Sequence, residues 1–115
     1  MPKAGQVIEG PDGFRLDLIR TGAETGGELL VMEAHYSGDS PMPPAHLHPG
    51  QDERFTILEG SVLMTIDGEE RRYDAGDTFA VPAGAVHQLF ADEPARVHWE
   101  VRPALRTAEF FERLY

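Results

Sequence analysis

Four side chains able to bind a first-row metal are spaced so that they can meet. His46 and His48 stand two residues apart in Pro43-Pro44-Ala45-His46-Leu47-His48-Pro49. In an extended chain, alternate residues share a face and lie roughly 6–7 Å apart. Both imidazoles can therefore aim at one point. After the Pro49-Gly50 turn, Glu53 enters an apolar strand, Phe55-Thr56-Ile57-Leu58, and can swing back to the same point. His87 follows much later, at the end of Val81-Pro82-Ala83-Gly84-Ala85-Val86-His87. Three neutral imidazoles and one carboxylate form a mixed nitrogen and oxygen donor set, suited to a first-row divalent metal. About two coordination positions stay open, enough for a small acid, enolate or diol to chelate. Asp52 competes with Glu53 as the acidic ligand. Glu53 shares strand parity with Phe55 and Ile57, so these three point inward together and Asp52 falls in the loop.

The elements that must position these residues are short. Twelve glycines and nine prolines fall between brief apolar runs, the punctuation of an all-β fold. Phe14–Leu18 alternates with period 2, Gly26-Gly27 is a turn, and residues 28–36 form a longer strand. Residues 37–44 carry three prolines and read as a loop. His46–His48 reads as a short strand. Glu53–Leu58 and Ser61–Ile66 read as a hairpin around Glu59-Gly60, and Asp67-Gly68 is a strong hairpin signal leading to Glu69–Tyr73. Strands follow at Thr78–Val81, Val86–Ala91 and Arg96–Arg102. From Thr107, an N-cap, Phe110, Phe111 and Leu114 fall at helical spacing, a stripe expected to pack on the barrel or on a second subunit. Eight to ten short strands with regular turns predict a barrel or jelly roll, which also removes exposed edges. With no linker, repeat or low-complexity tract, residues 1–115 are expected to be one domain.

Composition narrows the functions. A net charge of −10 opposes phosphate backbones and anionic lipid, so neither nucleic acid nor membrane is expected as a partner. The absence of cysteine removes disulfides, thiolate metal sites and a cysteine nucleophile, and fits a reducing cytoplasm. No apolar run approaches the ~18 residues of a membrane span. No serine sits in a Gly-x-Ser-x-Gly elbow, so a serine hydrolase is unsupported. A cytoplasmic protein is the expectation.

Two ordered motifs resemble those of the cupin superfamily. His46-x-His48, four residues, Glu53, six residues, Gly60 is similar to the first. Gly76, five residues, Pro82-x-Gly84, two residues, His87 is similar to the second. Ala91 stands where the family often has Asn, and Ser40 and Pro41 lie where the first motif would place its leading glycine. The resemblance implies a double-stranded β-helix or jelly-roll barrel, a divalent Fe, Mn, Ni, Zn or Cu ion held by His46, His48, Glu53 and His87, and a homodimer. Gly60, Gly76 and Gly84 are read as turn glycines, with Gly84 setting the angle at which His87 enters.

His35, Phe55, Met64 and His98 are candidates for a second ring of residues or for pocket walls around the metal. For Phe55 and Met64 the preferred reading is core. His98 has Val97, Trp99 and Val101 on the opposite face of its strand, so a solvent-facing position is preferred. Three functions fit these residues. The first is a metal-dependent oxygenase acting on a small organic molecule, with Glu53 or a neighbour moving a proton. The second is a non-catalytic small-molecule binder or sensor. The third is an oxygen-independent metal isomerase or lyase.

Overall fold

The computed structural model describes residues 2–10, 13–38 and 50–114, the side chains of Phe110, Phe111, Arg113 and Leu114 excepted. Strands dominate them. In chain order they are β1 (Val7–Glu9), β2 (Arg15–Arg20), β3 (Leu30–Tyr36), β4 (Asp52–Glu59), β5 (Ser61–Ile66), β6 (Glu69–Asp74), β7 (Thr78–Val81), β8 (His87–Phe90) and β9 (Ala95–Arg102). Two short helices, α1 (Gly22–Thr25) and α2 (Thr107–Leu114), complete the described residues.

The strands form two antiparallel sheets. The larger runs β1-β2-β3-β9-β4-β7 and the smaller β6-β5-β8. Alternation along each strand builds the core between them. Leu16 and Leu18 on β2, Met32 on β3, Ile57 on β4, Val81 on β7 and Val97 and Val101 on β9 turn inward. Val62 and Met64 do so from β5. Each such side chain contributes roughly 1.5–3 kcal/mol on leaving water. The whole is a β-barrel of jelly-roll type with a short C-terminal helix.

Most strand boundaries match the sequence pattern, but three features differ. β4 and β5 do not form a hairpin: β4 pairs with β9 and β7, while β5 pairs with β6 and β8. Gly60 is thus a crossing between sheets. Its φ is +75°, and a Cβ there would lie 2.4 Å from the Pro94 carbonyl oxygen. The Gly26-Gly27 turn ends an unexpected helical turn, α1. Thr21 and Glu24 form its capping box, and Gly26 closes it in the left-handed region. β1 was not expected from the sequence. The Asp67-Gly68 hairpin does form, both residues having the positive φ that a two-residue turn requires, 49° and 85°.

At the C-terminal end, Gln51 Nε2 donates to the Pro103 and Ala104 carbonyls and to Thr107 Oγ1, which ties the start of β4 to the start of α2. The stripe expected of Phe110, Phe111 and Leu114 lies outside the described side chains. No helix of the described residues is long and apolar enough to cross a membrane.

Candidate metal centre

Glu53 is the second residue of β4, a strand with neighbours on both sides, opposite Val81 on β7 and Val101 on β9. It is 2% exposed and shares the inward face with Phe55 and Ile57. A carboxylate in such surroundings must be matched by donors or by a cation. One match is Trp99: its indole Nε1–H donates to Glu53 Oε2 at 2.9 Å. Asp52 occupies the first position of β4 and is exposed. Its Oδ1 accepts from the Ala83 N–H at 2.9 Å.

That bond ties β4 to the turn that delivers His87. Within the turn, Ala85 N–H donates to the Pro82 carbonyl at 3.2 Å, and Gly84 adopts φ +83°. Asp67, from the β5–β6 hairpin, holds the far end: its Oδ1 accepts from Val86 N–H at 3.0 Å, and its own N–H donates to the Val86 carbonyl at 2.8 Å. His87 then opens β8, 3% exposed. Its Nδ1 faces the Ala85 carbonyl at 3.2 Å. A carbonyl only accepts, so Nδ1 carries the hydrogen and the other nitrogen is left to bind. That nitrogen, Nε2, lies 3.4 Å from Glu53 Oε1, across the gap between the two sheets.

A neutral imidazole nitrogen and a carboxylate oxygen are both acceptors, so their approach calls for positive charge. A proton on the ring would supply it in the metal-free chain, and a shared cation would supply it in the proton's place. Two ligands each about 2.1 Å from one ion can be no more than about 4.2 Å apart, so the pair fits a first-row metal. The charge argument also sets the acid–base behaviour of His87. Burial alone would lower its pKa, but the hydrogen bond and charge of Glu53, with the Ala85 carbonyl, outweigh this and raise it above 6.5. A folded-state value above the unfolded one stabilises the fold below pH 6.5, and that stabilisation is lost as pH rises through the folded value. With metal chelated, the parent should therefore lose stability relative to His87→Gln as pH is raised through the histidine range. Urea midpoints measure this, and a gap that widens in the parent's favour at higher pH would refute it.

His46 and His48 lie outside the described residues. Among those described, no cluster of three or more His, Cys, Asp or Glu is placed to hold a metal. Glu53 and His87 are the two sequence candidates that the structure brings together.

The second-ring candidates divide. Phe55 and Met64 are buried. Phe55 stacks between Phe79 and Trp99, with ring centroids at 5.1 and 5.3 Å, and Phe79 stacks on Tyr73 at 3.9 Å. His35 and His98 do not line the site: both are on the outer face of the larger sheet, which is the position preferred for His98 from its sequence parity and departs from the pocket role considered for His35. His98 alternates with the buried Val97 and Trp99. His35 Nε2 sits 3.0 Å from Asp17 Oδ2 and 3.2 Å from Arg15 Nη2. Nearby, Arg96 bridges Glu33 and Glu59 at 2.6 and 2.8 Å. These partly exposed pairs contribute little individually.

Sequence reasoning assigned no bonding role to Trp99 or Asp67, and it weighed Asp52 only as a rival ligand in the loop, whereas Asp52 opens β4 and accepts from Ala83. For Trp99 the signal was latent: β4–β9 register sets Glu53 opposite Val101 and Phe55 opposite Trp99, which makes Trp99 the diagonal neighbour of Glu53. Without that pairing, the contact cannot be read.

Comparisons with known proteins identify the fold and the family. A family model described as "Cupin domain" matches residues 32–101. Quercetin 2,3-dioxygenase of Bacillus subtilis is 31% identical over 94 residues, 75% of this chain but 27% of that protein. The chain therefore spans about a quarter of that relative's length. An RmlC-like cupin from Shewanella frigidimarina superposes with a TM-score of 0.75 at 18% identity, covering 88% of this chain and 86% of that one. KdgF from a Halomonas species does so with a TM-score of 0.73 at 20% identity, covering 85% and 87%. At those identities the likeness speaks for the fold. The matched segment runs from β3 through β9 and takes in both Glu53 and His87, and on that match the chain belongs to the cupin superfamily.

Proposed function

We propose that this protein is a metal-dependent cupin acting on a small organic molecule in the manner of an oxygenase. The ligands would be Glu53 and His87, with His46 and His48 from the segment before β4. The observation that carries the reading is the buried approach of His87 Nε2 to Glu53 Oε1 from opposite sheets. The likeness to a quercetin dioxygenase over three quarters of the chain supports the oxygenase assignment. Bound there, a divalent ion would supply Lewis acidity and, for iron, manganese or copper, activation of dioxygen.

The chain's own residues do the rest. The Ala85 carbonyl fixes the His87 tautomer and keeps Nε2 directed inward. Trp99 neutralises part of the demand of Glu53 for donors at Oε2. Phe55, Phe79 and Trp99 keep water from this side of the site, where low polarity strengthens every charge interaction. Asp52 and Asp67 hold the turn from which His87 enters. A small-molecule substrate and a homodimeric assembly complete the proposal.

The test is oxygen uptake by purified protein loaded with Fe(II), Mn(II), Ni(II) or Cu(II), with flavonol, catechol, diketone and thiol-acid substrates. Uptake matched by product formation supports the oxygenase. Turnover that persists without oxygen would replace it with an isomerase or lyase. Tight ligand binding with no turnover under any metal would replace it with a binding protein.

A further inference from the structure

We propose that Trp99 is a positioning residue for Glu53: by holding Oε2, it commits Oε1 to the face shared with His87. The inference rests on the metal-site reading above. A free carboxylate can bind a cation through one oxygen or through both, and can rotate between the two. Here the two oxygens face different groups. Oε2 accepts from the indole Nε1–H at 2.9 Å, while Oε1 lies 3.4 Å from His87 Nε2. The indole is a donor only, so it holds the carboxylate without competing for a cation.

Neither partner is free to drift. Glu53 and Trp99 stand on adjacent strands in fixed register. The indole lies nearly parallel to Phe55, with 20° between the planes, and Phe55 is stacked on Phe79 at 14°. Phe79 is in turn stacked on Tyr73 at 19°. Turning the indole would disturb the whole row. Turning the carboxylate to offer both oxygens to an ion would strip a buried N–H of this acceptor. The row of rings therefore acts as a brace, and the braced group is a carboxylate oxygen rather than a hydrophobic contact.

The chain has a single tryptophan, which makes the test clean. Replacing Trp99 with β-(3-benzothienyl)alanine swaps the N–H for sulfur and keeps the ring shape. Trp99→Phe is the genetic counterpart. Each is titrated with Co(II) against a competing chelator, and metal-free unfolding is followed in parallel. The expected result is a loss of about 10–100-fold in Co(II) affinity, the effect usual for partners of a metal ligand. A changed Co(II) visible spectrum should accompany it, as the second oxygen is released, while the metal-free unfolding midpoint of the benzothienyl protein holds. Affinity within about 3-fold of the parent, with an unchanged spectrum, would overturn the inference.

Glu53→Gln is run alongside. If the parent binds no Co(II), or Glu53→Gln binds as tightly as the parent, the metal-site reading itself falls and this inference with it. If Glu53→Gln loses the metal and the Trp99 variants keep it, only the positioning role falls. Should both Trp99 variants unfold, the single indole ¹H–¹⁵N resonance of the parent decides. It should shift and saturate at one equivalent of Zn(II). A resonance indifferent to Zn(II) would overturn the proposal.

Discussion

The Glu53→Gln protein should fold and should bind a divalent metal more than about 100-fold more weakly than the parent, exceeding the loss expected for an outer partner. Glutamine has the volume of glutamate, so the packing around Phe55 and Ile57 is undisturbed. Its carbonyl can accept from the Trp99 indole, and its amide can donate to His87 Nε2, now 3.4 Å from the carboxylate. The metal-free variant thus replaces a buried ionic pair with a neutral hydrogen-bonded one, and because His87 can give up its proton no uncompensated buried charge is left behind. Metal binding suffers because the amide brings no charge and offers a hydrogen where a lone pair is needed. Thermal unfolding in chelator and a metal titration together measure both halves. An affinity within a few-fold of the parent's would show that Glu53 is not a ligand.

Gly60→Val should be the most destructive single change at a turn, costing about 3–5 kcal/mol. Two costs add. A φ of +75° suits glycine and penalises a β-branched residue by about 1–2 kcal/mol. The new Cβ would also meet the Pro94 carbonyl oxygen at 2.4 Å and Ala95 Cα at 3.1 Å, and backbone cannot step aside as a side-chain tip can. Gly68→Val is the control: φ there is +85°, but nothing lies within 4 Å of a Cβ. It should pay only the conformational cost. Against a total stability of about 5–15 kcal/mol, the Gly60 variant should unfold roughly 10–20 °C earlier. Equal losses at the two positions would show that the close approach of the β4–β5 crossing to Pro94 does not persist in solution.

The contrast between these glycines shows how far the sequence could be read. Strand positions and inward parity were legible because they are local: alternation in Phe55-Thr56-Ile57 already turned Glu53 toward the core. The same parity placed His98 opposite Val97 and Trp99, and so outward. What a turn connects was not legible. Asp67-Gly68 and Glu59-Gly60 look alike on paper, yet one closes a hairpin and the other changes sheets. The difference is made by Pro94 and Ala95, more than thirty residues away, whose backbone crowds Gly60. The meeting of Glu53 with His87 was anticipated from motif spacing. The bond from Trp99 was not, because it follows from a β4–β9 register that only the folded chain defines.

Glu53 belongs to the large sheet and His87 to the small one, so an ion gripped by both would be a clasp between two layers of the molecule. Occupancy would then be mechanical as well as chemical. A ligand at 100 times its dissociation constant adds about 2.7 kcal/mol against unfolding. Here that increment would fall on the seam itself, slowing the breathing of one layer against the other. On the proposed reading, removal of a bound ion would soften the protein first along that seam, and amide exchange in β4 and β8 would quicken together.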